Sequence, residues 1–386
     1  MPSSIPKVLL SAGMIQGGLS GVGRYVVELA ERIAGMDSVD LHVAGLDADR
    51  KLFAALDDAH WVSIPESASG GLKNLLWHQQ KLPALLKAGG YDLLHIPSYR
   101  RIVAFCPVRQ LATIHDCAPF RLRDKYGALR GLFGRQVAPW MARRCEHILT
   151  VSKFTKQDLI NFFKLPDVGT EVVYNGLNHS LYRSRSDEET GAFRARQGID
   201  RPFLLFISRL EHPGKNHVRL IEAYEAYRDE AEMEHLLVLG GAPWHGAEVI
   251  EERVAQSPYA EDILMPGFIE EADLPLWYAS ADGLVFPSLI EGFGLPVVEA
   301  LACGCRVATS DRGSLPEVGG DAAIYFDPED VQAISLAITE LCGENPSVRE
   351  ARIAKGLSHA GQFDWDRAAM VTCQTYLKTT RISEKQ

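Results

Sequence analysis

The chain has 386 residues, of which 46% are hydrophobic and 23% are charged, and its formal net charge at pH 7 is −10. This length exceeds the size at which one hydrophobic core usually stops growing, so we expect two domains, and the acidic balance argues against a nucleic-acid-binding protein. No apolar stretch is long enough to predict a membrane span, and the first residues do not resemble a signal peptide, so we expect a cytoplasmic protein.

Apolar runs alternate with helical segments along the first half of the chain. A strand is predicted at 7–12 and a helix at 23–34, and further short apolar runs have the length of buried strands. These runs lie at 39–44, 93–96, 110–114 and 147–151. The alternation is typical of a parallel sheet with crossover helices.

A polar stretch between residues 180 and 201 lacks apolar periodicity and separates the two halves of the chain. The alternation then resumes, with predicted strands at 203–208, 236–239, 263–265, 283–286, 306–309 and 323–326. We therefore predict an α/β protein with domains at 1–185 and 186–362, followed by a terminal helix at 363–386. Two doubly wound Rossmann-like domains should face a central cleft, with ligands at the carboxyl ends of the strands.

Loops of the first domain carry candidate functional residues. The glycine-rich loop at 17–23 opens a helix, but its spacing is not Gly-x-Gly-x-x-Gly and no acidic residue ends the second strand, which argues against an NAD enzyme. His115 follows a predicted strand, with Asp116 beside it as a candidate to orient the ring, and Asn175 begins an Asn-Gly pair. A lone histidine after a strand is more often structural, and Asn-Gly is a common turn.

Residues 121–144 contain seven basic side chains and one acidic side chain, with aromatic residues interleaved. Two interpretations stay open. The cluster could contact anionic lipid headgroups or a lipid pyrophosphate, which would place the protein peripherally on the inner face of the plasma membrane. Alternatively, its arginines pair with the acidic second half of the chain.

The second domain begins with a strand that ends at Ser208, and two cations, Arg209 and Lys215, lie in the loop that follows. An arginine fork and a lysine point charge at a strand end can hold a diphosphate. Fixed positive groups of this kind also offset the negative charge that grows on a departing diphosphate.

Residues 286–299 place Glu291 and Glu299 on either side of a glycine-bearing turn that opens a helix. Gly292 and Gly294 give the backbone room for a ligand, Pro296 suits a first helical turn, and free amides at the helix start would face an anion. Carboxylate acceptors around a phosphate-binding amide cluster suit a sugar nucleotide.

This segment, with its continuation through residues 300–318, resembles family 4 of the retaining glycosyltransferases (glycosyl transferases group 1). The resemblance spans nearly the whole chain and implies a GT-B fold and transfer of a hexose from a nucleotide diphosphate sugar to a hydroxyl of a glycan or lipid-linked acceptor. The chain is similar to mannosyltransferases of bacterial surface polysaccharide synthesis, which makes GDP-mannose the first expected donor and UDP-sugars the second. No metal or other cofactor is implied.

The resemblance also implies roles for individual residues. His115 would contact the donor sugar, Arg209 and Lys215 would stabilise the leaving diphosphate, and Glu291 would lie beside the hexose. Glu299 would bind the ribose hydroxyls, and backbone groups would bind the rest of the donor. The other donor-binding positions implied are Gly18, Asn175, Gly267, Phe268, Ile269, Gly292, Phe293, Gly294 and Leu295.

Two rival functions use the same two-domain fold. A sugar-nucleotide epimerase would need acid and base carboxylates near the hexose and would lack the turn at 291–294. A non-catalytic protein could close two domains over an anion, but Arg209, Lys215, Glu291 and Glu299 together argue for catalysis.

Overall fold

The computed structural model describes residues 5–18, 20–121, 136–230 and 233–381, and the chain divides into two units. Unit 1 comprises Met1–Gly176 together with Asp364–Gln386, and unit 2 comprises Leu177–Phe363. The domain boundaries predicted from the sequence, near residues 185 and 363, stay a prediction.

Unit 1 is built on a seven-stranded sheet with the order β3-β2-β1-β4-β5-β6-β7. Every neighbouring pair in it is parallel. The strands are β1 (Lys7–Ser11), β2 (Asp40–Leu46), β3 (Trp61–Ile64), β4 (Leu93–Ile96), β5 (Arg109–Ile114), β6 (His147–Thr150) and β7 (Thr170–Val172). All four residues of β4 are buried, because helices cover both faces of a doubly wound sheet.

Unit 2 contains a six-stranded parallel sheet with the order β10-β9-β8-β11-β12-β13. Its strands are β8 (Phe203–Ile207), β9 (Leu236–Gly240), β10 (Ile263–Gly267), β11 (Gly283–Phe286), β12 (Val307–Ser310) and β13 (Ala323–Phe326). The predicted α/β class, with two doubly wound parallel sheets, is confirmed.

Helices connect the strands of both sheets, and none of the described helices is long and apolar enough to cross a membrane. In unit 1 the α-helices described are Gly21–Ile33, Gly71–Gln80, Leu82–Ala88, Ala118–Arg121, Ala138–Ala142, Lys153–Asp158 and Trp365–Arg381. In unit 2 they are Asp187–Gln197, His217–Glu230, Ala247–Ala255, Leu274–Ser280, Leu295–Ala302, Leu315–Gly319, Val331–Gly343 and Pro346–Ala360.

The last helix, Trp365–Arg381, packs in unit 1 beside the first helix, Gly21–Ile33. Trp365 is 2% exposed and Tyr376 is fully buried. The Tyr376 hydroxyl lies 2.6 Å from His95 Nδ1, on β4 in the centre of the sheet. The end of the chain is therefore part of the core of unit 1.

The strand order reverses beside β1 in unit 1 and beside β8 in unit 2, where these strands pair with β4 and β11. Ligands of open α/β sheets bind outside the carboxyl ends of the strands at such reversals. In unit 2, the loops that follow β8 and β11 therefore lie where a ligand is expected.

Candidate functional site

The loop that follows β8 is fastened to two other loops of unit 2 by Asn216. Its buried side-chain amide donates to the carbonyls of Pro287, at 3.0 Å, and Pro328, at 2.7 Å. Asn216 has a φ of 65°, a left-handed conformation that asparagine tolerates better than most residues. Sequence reasoning gave Asn216 no role, although it follows Lys215 directly, and these contacts fix the position of that lysine.

Lys215 contacts Glu291, which follows the neighbouring strand β11. The Lys215 Nζ lies 2.6 Å from Glu291 Oε1, and the two side chains are 20% and 16% exposed. Partial burial of two opposite charges requires that they compensate each other. The pair presents ammonium donors and a carboxylate acceptor side by side, which suits a ligand carrying both phosphate and hydroxyl groups.

Arg209 has different neighbours from Lys215. Its guanidinium carbon lies 4.8 Å from the centre of the Trp244 ring, and Nη2 lies 3.7 Å from Glu211 Oε2. The Arg209 side chain is half exposed. The predicted pair of cations is therefore held by two separate sets of contacts, Arg209 over an aromatic ring and Lys215 against a carboxylate.

Gly294 caps the helix Leu295–Ala302 at the end of the turn that carries Glu291. Its φ of 101° suits glycine alone, and a Cβ there would lie 2.7 Å from Leu315 Cδ2. Pro296 in the first turn has no N–H, and the Val297 amide donates to the Gly294 carbonyl at 3.0 Å. No side chain caps this helix, so its positive dipole end can still face an anion. Gly292, Phe293 and Leu295 lie in the same turn and helix start.

Ser314 holds this turn in shape, and sequence reasoning did not select it as a site residue. Its hydroxyl lies between the carbonyls of Phe293, at 2.7 Å, and Glu291, at 3.0 Å, so its single proton is shared between them. The preceding Gly313 approaches closely, since a Cβ there would lie 2.8 Å from the Glu291 carbonyl. Gly313 and Ser314 lie within the segment 300–318 that carries the family resemblance. The sequence alone does not reveal which residues they contact.

Glu299 lies inside the helix and is 4% exposed. Its Oε2 accepts a hydrogen bond of 2.9 Å from the Tyr278 hydroxyl. Burial, together with the Glu299 carboxylate, raises the pKa of Tyr278 well above its ordinary value, so the phenol is a neutral donor. Glu299 thus has a structural contact in addition to the ribose contact that the resemblance implies.

The residues expected to contact the base lie at the carboxyl end of the edge strand β10 (Ile263–Gly267) and directly after it. Gly267 has a φ of 77°, and its carbonyl accepts from the Gly241 amide at 2.8 Å. Phe268 is 54% exposed, whereas Ile269 packs over Gly240, where a Cβ would lie 2.5 Å from its Cδ1. The turn therefore presents an aromatic ring and backbone groups to solvent.

In unit 1, His115 is a partly buried, neutral imidazole directly after β5. Burial lowers its pKa to about 4. The ring bonds the backbone of Pro97 and meets the Tyr25 ring edge-on at 4.8 Å. Nε2 is buried without a hydrogen-bond partner among the described residues, so this nitrogen can accept a hydrogen bond from a ligand. The neighbouring Asp116 accepts a hydrogen bond of 2.9 Å from the Ala118 amide through Oδ1, and its role in orienting the ring stays a prediction.

Two further predicted positions lie in unit 1. Gly18 has a φ of 79°, and its amide donates to the Ile15 carbonyl at 3.0 Å. Asn175 is 4% exposed, and its Oδ1 lacks a hydrogen-bond partner within the described part of the chain. Its neighbour Gly176 has no room for a side chain, since a Cβ would lie 2.1 Å from the Trp365 amide.

The basic cluster at 121–144 is only partly described, because residues 122–135 lie outside the described ranges. Arg121 Nε donates to Asp158 Oδ2 at 2.8 Å, and Arg144 lies 3.8 Å from the centre of the Trp140 ring. The observed partner of Arg121 is thus an aspartate of unit 1, whereas the second interpretation assigned these arginines to acidic groups of the second half.

Comparison with known proteins gives consistent matches along the chain. Residues 19–181 match Glycosyltransferase Family 4, and residues 189–356 match Glycosyl transferases group 1. O-antigen chain mannosyltransferase B of Escherichia coli is 30% identical over 96% of this chain and 99% of its own length. O-antigen chain mannosyltransferase RfbU of Salmonella typhimurium is 24% identical over 90% of this chain and 94% of its own.

Solved structures share the fold. Anabaena HepE in complex with UDP and glucose superposes with a TM-score of 0.77 and 20% identity, covering 97% of this chain and 100% of that one. A glycosyltransferase from Rickettsia africae gives a TM-score of 0.75 with 15% identity, over 98% and 99% of the two chains. The GT-B fold that the sequence predicts is confirmed.

Proposed function

Since the chain belongs to the family 4 glycosyltransferases (glycosyl transferases group 1), we propose that it transfers mannose from GDP-mannose to a hydroxyl of a glycan or lipid-linked oligosaccharide, with retention of configuration. The choice of mannose rests on the similarity to O-antigen chain mannosyltransferase B over nearly the full length of both chains. The observation that carries the chemistry is the 2.6 Å contact between Lys215 and Glu291 at the carboxyl ends of β8 and β11.

The donor diphosphate binds between the cations and the start of the helix Leu295–Ala302. Lys215, Arg209 and the positive dipole end of the helix offset the negative charge that grows as the bond between the hexose and the phosphate breaks. Glu291 lies beside the hexose, and Glu299 binds the ribose. The acceptor oxygen bonds to the anomeric carbon on the face that the diphosphate leaves, and the acceptor proton passes to a departing phosphate oxygen.

The resemblance also assigns three residues of unit 1, His115, Gly18 and Asn175, to the donor. The His115 Nε2 accepts a hydrogen bond from a donor-sugar hydroxyl, because it is a buried acceptor without a partner among the described residues. Asn175 Oδ1 is also a buried acceptor without a hydrogen-bond partner among the described residues. The resemblance assigns the Gly18 backbone to the diphosphate and backbone groups of Gly267, Phe268 and Ile269 to the base.

A panel of GDP-, UDP- and dTDP-sugars, measured by thermal shift and by turnover, tests the donor. GDP-mannose should raise the melting temperature, and the rise should grow with the logarithm of its concentration once that concentration exceeds the dissociation constant. UDP-sugars are the second candidate, since Anabaena HepE is solved with UDP-glucose. If only a UDP-sugar stabilised the protein, the proposed donor would change from GDP-mannose to that UDP-sugar. NMR of the product, which shows its anomeric configuration, would test retention.

Activity should persist in excess EDTA, because we assign neutralisation of the diphosphate to Arg209, Lys215 and the helix start. The control is the same assay with magnesium added back. Complete loss of turnover on chelation, rescued by magnesium or manganese, would mean that the phosphate site is assigned wrongly.

We also propose that the segment 121–144 makes a peripheral contact with anionic membrane. Trp140 is 40% exposed, and its ring packs against Phe105, which is 79% exposed. Cosedimentation should be stronger with vesicles containing anionic lipid than with neutral vesicles, and should weaken at high salt. Equal sedimentation with both vesicles would exclude this contact.

A further inference from the structure

Three side chains with metal-ligating atoms converge at the amino-terminal ends of β2 and β3 in unit 1. Asp40 and His42 are two residues apart at the start of β2, so they lie on the same face of the sheet. His60 ends the 3₁₀ turn Asp58–His60, directly before β3. The parallel register pairs Val43 with Trp61, which brings His60 beside His42.

The distances in this cluster match those of a tetrahedral metal site. Asp40 Oδ1 lies 3.2 Å from His42 Nε2 and 3.3 Å from His60 Nε2, and one ligand atom from each residue lies within 4.8 Å of the other two. With metal–ligand bonds of about 2.0–2.1 Å, tetrahedral geometry places neighbouring ligand atoms about 3.3 Å apart. Two of the three edges are therefore already of the required length.

The chemistry and exposure of the three groups suit zinc. Two imidazoles and one carboxylate form a nitrogen and oxygen donor set typical of this ion. His42 is 11% exposed, whereas Asp40 and His60 are 38% and 37% exposed, so the cluster is open to an entering ion and to a water as fourth ligand.

Lys7, the cation paired with Asp40 across the two strands, does not form an ion pair with the Asp40 carboxylate. Lys7 pairs with Asp40 across β1 and β2, but its ammonium lies over the Tyr91 ring, 4.9 Å from the ring centre. Among the described residues, the ion-pair partners of Asp40 are the two histidines. Both rings direct the same nitrogen at one oxygen of the carboxylate.

We propose that Asp40, His42 and His60 bind one zinc ion, which fastens the start of β2 to the turn before β3. The site lies at the amino-terminal ends of the strands, whereas Gly18 and His115 follow the carboxyl ends of β1 and β5. The ion would therefore stabilise unit 1 and take no part in the transfer reaction.

Zinc titration of the EDTA-treated and desalted full-length protein, by competition with a chromophoric chelator, tests the site. The wild-type chain should bind one equivalent that raises its melting temperature. His42→Ala, His60→Ala and Asp40→Asn should each weaken this equivalent by at least about tenfold. The matched control is His245→Ala, which removes an exposed histidine of unit 2 and should bind zinc like the wild type.

Circular dichroism without metal checks that each variant is folded, and the near-isosteric Asp40→Asn remains informative if an alanine variant unfolds. Loss of the equivalent in the three cluster variants, with retention in His245→Ala, supports the site. Absence of saturable zinc binding by the wild type, or equal affinity in wild type and cluster variants, would overturn it.

Discussion

At the scale of single residues, the contact between Lys215 and Glu291 links two functions that the sequence suggested separately. The side chains are 76 positions apart in the chain and meet at 2.6 Å. A ligand phosphate that approaches Lys215 must therefore share its ammonium with the carboxylate.

Replacing Lys215 with Ala should lower turnover by on the order of a hundredfold or more, because the leaving diphosphate would lose a fixed cation. Arg209→Ala should act in the same direction. Steady-state kinetics with the identified donor measure both effects. The matched control is Arg349→Ala, a half-exposed arginine 3.7 Å from Asp282, just before β11 and so away from the carboxyl ends.

Arg349→Ala should retain wild-type turnover. If Lys215→Ala and Arg209→Ala also retained it while remaining folded by circular dichroism, both residues would have to be removed from the donor site.

The two glutamates should differ in which kinetic constant they affect. Glu299→Ala should chiefly raise the KM for the donor, because a ribose contact is about equal in ground and transition states. Glu291→Ala should chiefly lower kcat, because charge develops beside the hexose. Steady-state kinetics of both variants provide the measurement, and the reverse pattern would require the two roles to be exchanged or abandoned.

The structural contact of Glu299 calls for a control. Tyr278→Phe removes the hydroxyl that bonds Glu299 Oε2 at 2.9 Å and keeps the ring in place. It should lower the free energy of unfolding by about 1–3 kcal/mol, the usual cost of an unpaired buried group. Its donor KM should change less than that of Glu299→Ala, which separates ribose binding from helix stability.

At the scale of elements, the sequence predicts strands best where both faces are buried. The predicted strand at 93–96 coincides with β4 (Leu93–Ile96). A strand that is covered by helices on both faces has apolar residues at successive positions, and such a run is easy to recognise in the sequence. The strand predicted at 171–174, before Asn175, overlaps β7 (Thr170–Val172), whereas β3 was not predicted. β3 lies at one edge of the sheet, and of its four residues only Ile64 is buried, so the sequence carries no continuous apolar run there.

The candidate site was predictable as far as loop position. Arg209 and Glu291 follow strands in the sequence, so their place at the carboxyl ends required only the fold class. The partners of Asn216 and Ser314, and the meeting of His42 with His60, depend on strand register and loop packing. Neither of these follows from one sequence.

The terminal helix makes a prediction at this scale. Tyr376→Phe removes the hydroxyl that lies 2.6 Å from His95 Nδ1 and leaves that buried nitrogen without its partner. The free energy of unfolding, measured with urea, should fall by about 1–3 kcal/mol. Tyr325→Phe is the matched control, since that hydroxyl bonds the Gly320 carbonyl from a residue that is 37% exposed.

Tyr325→Phe should cost less than Tyr376→Phe, because water can replace the partner of an exposed group. Equal losses in the two variants would show that the terminal helix contributes no more to stability than a surface contact does.

At the scale of the whole molecule, buried neutral histidines make stability depend on pH. Burial lowers the pKa of His78 and His115 to about 4 and that of His95 and His217 to about 3. In the unfolded chain the pKa of histidine is about 6.5. Below that pH the unfolded state binds protons that the folded state excludes, so stability should fall as the pH decreases.

The free energy of unfolding should decrease with falling pH between about pH 6.5 and 4. In this range each such histidine contributes up to about 1.4 kcal/mol per pH unit to the decrease. Urea unfolding from pH 7.5 to 4.5 measures it. His95→Gln removes one titrating group and should flatten the slope, although it also lowers stability at every pH. Leu94→Ala, at the fully buried neighbouring position, is the control, because it weakens the same strand without removing a proton site and should keep the wild-type slope. If His95→Gln and Leu94→Ala gave the same slope, proton uptake by His95 on unfolding would not contribute to the acid sensitivity of the fold.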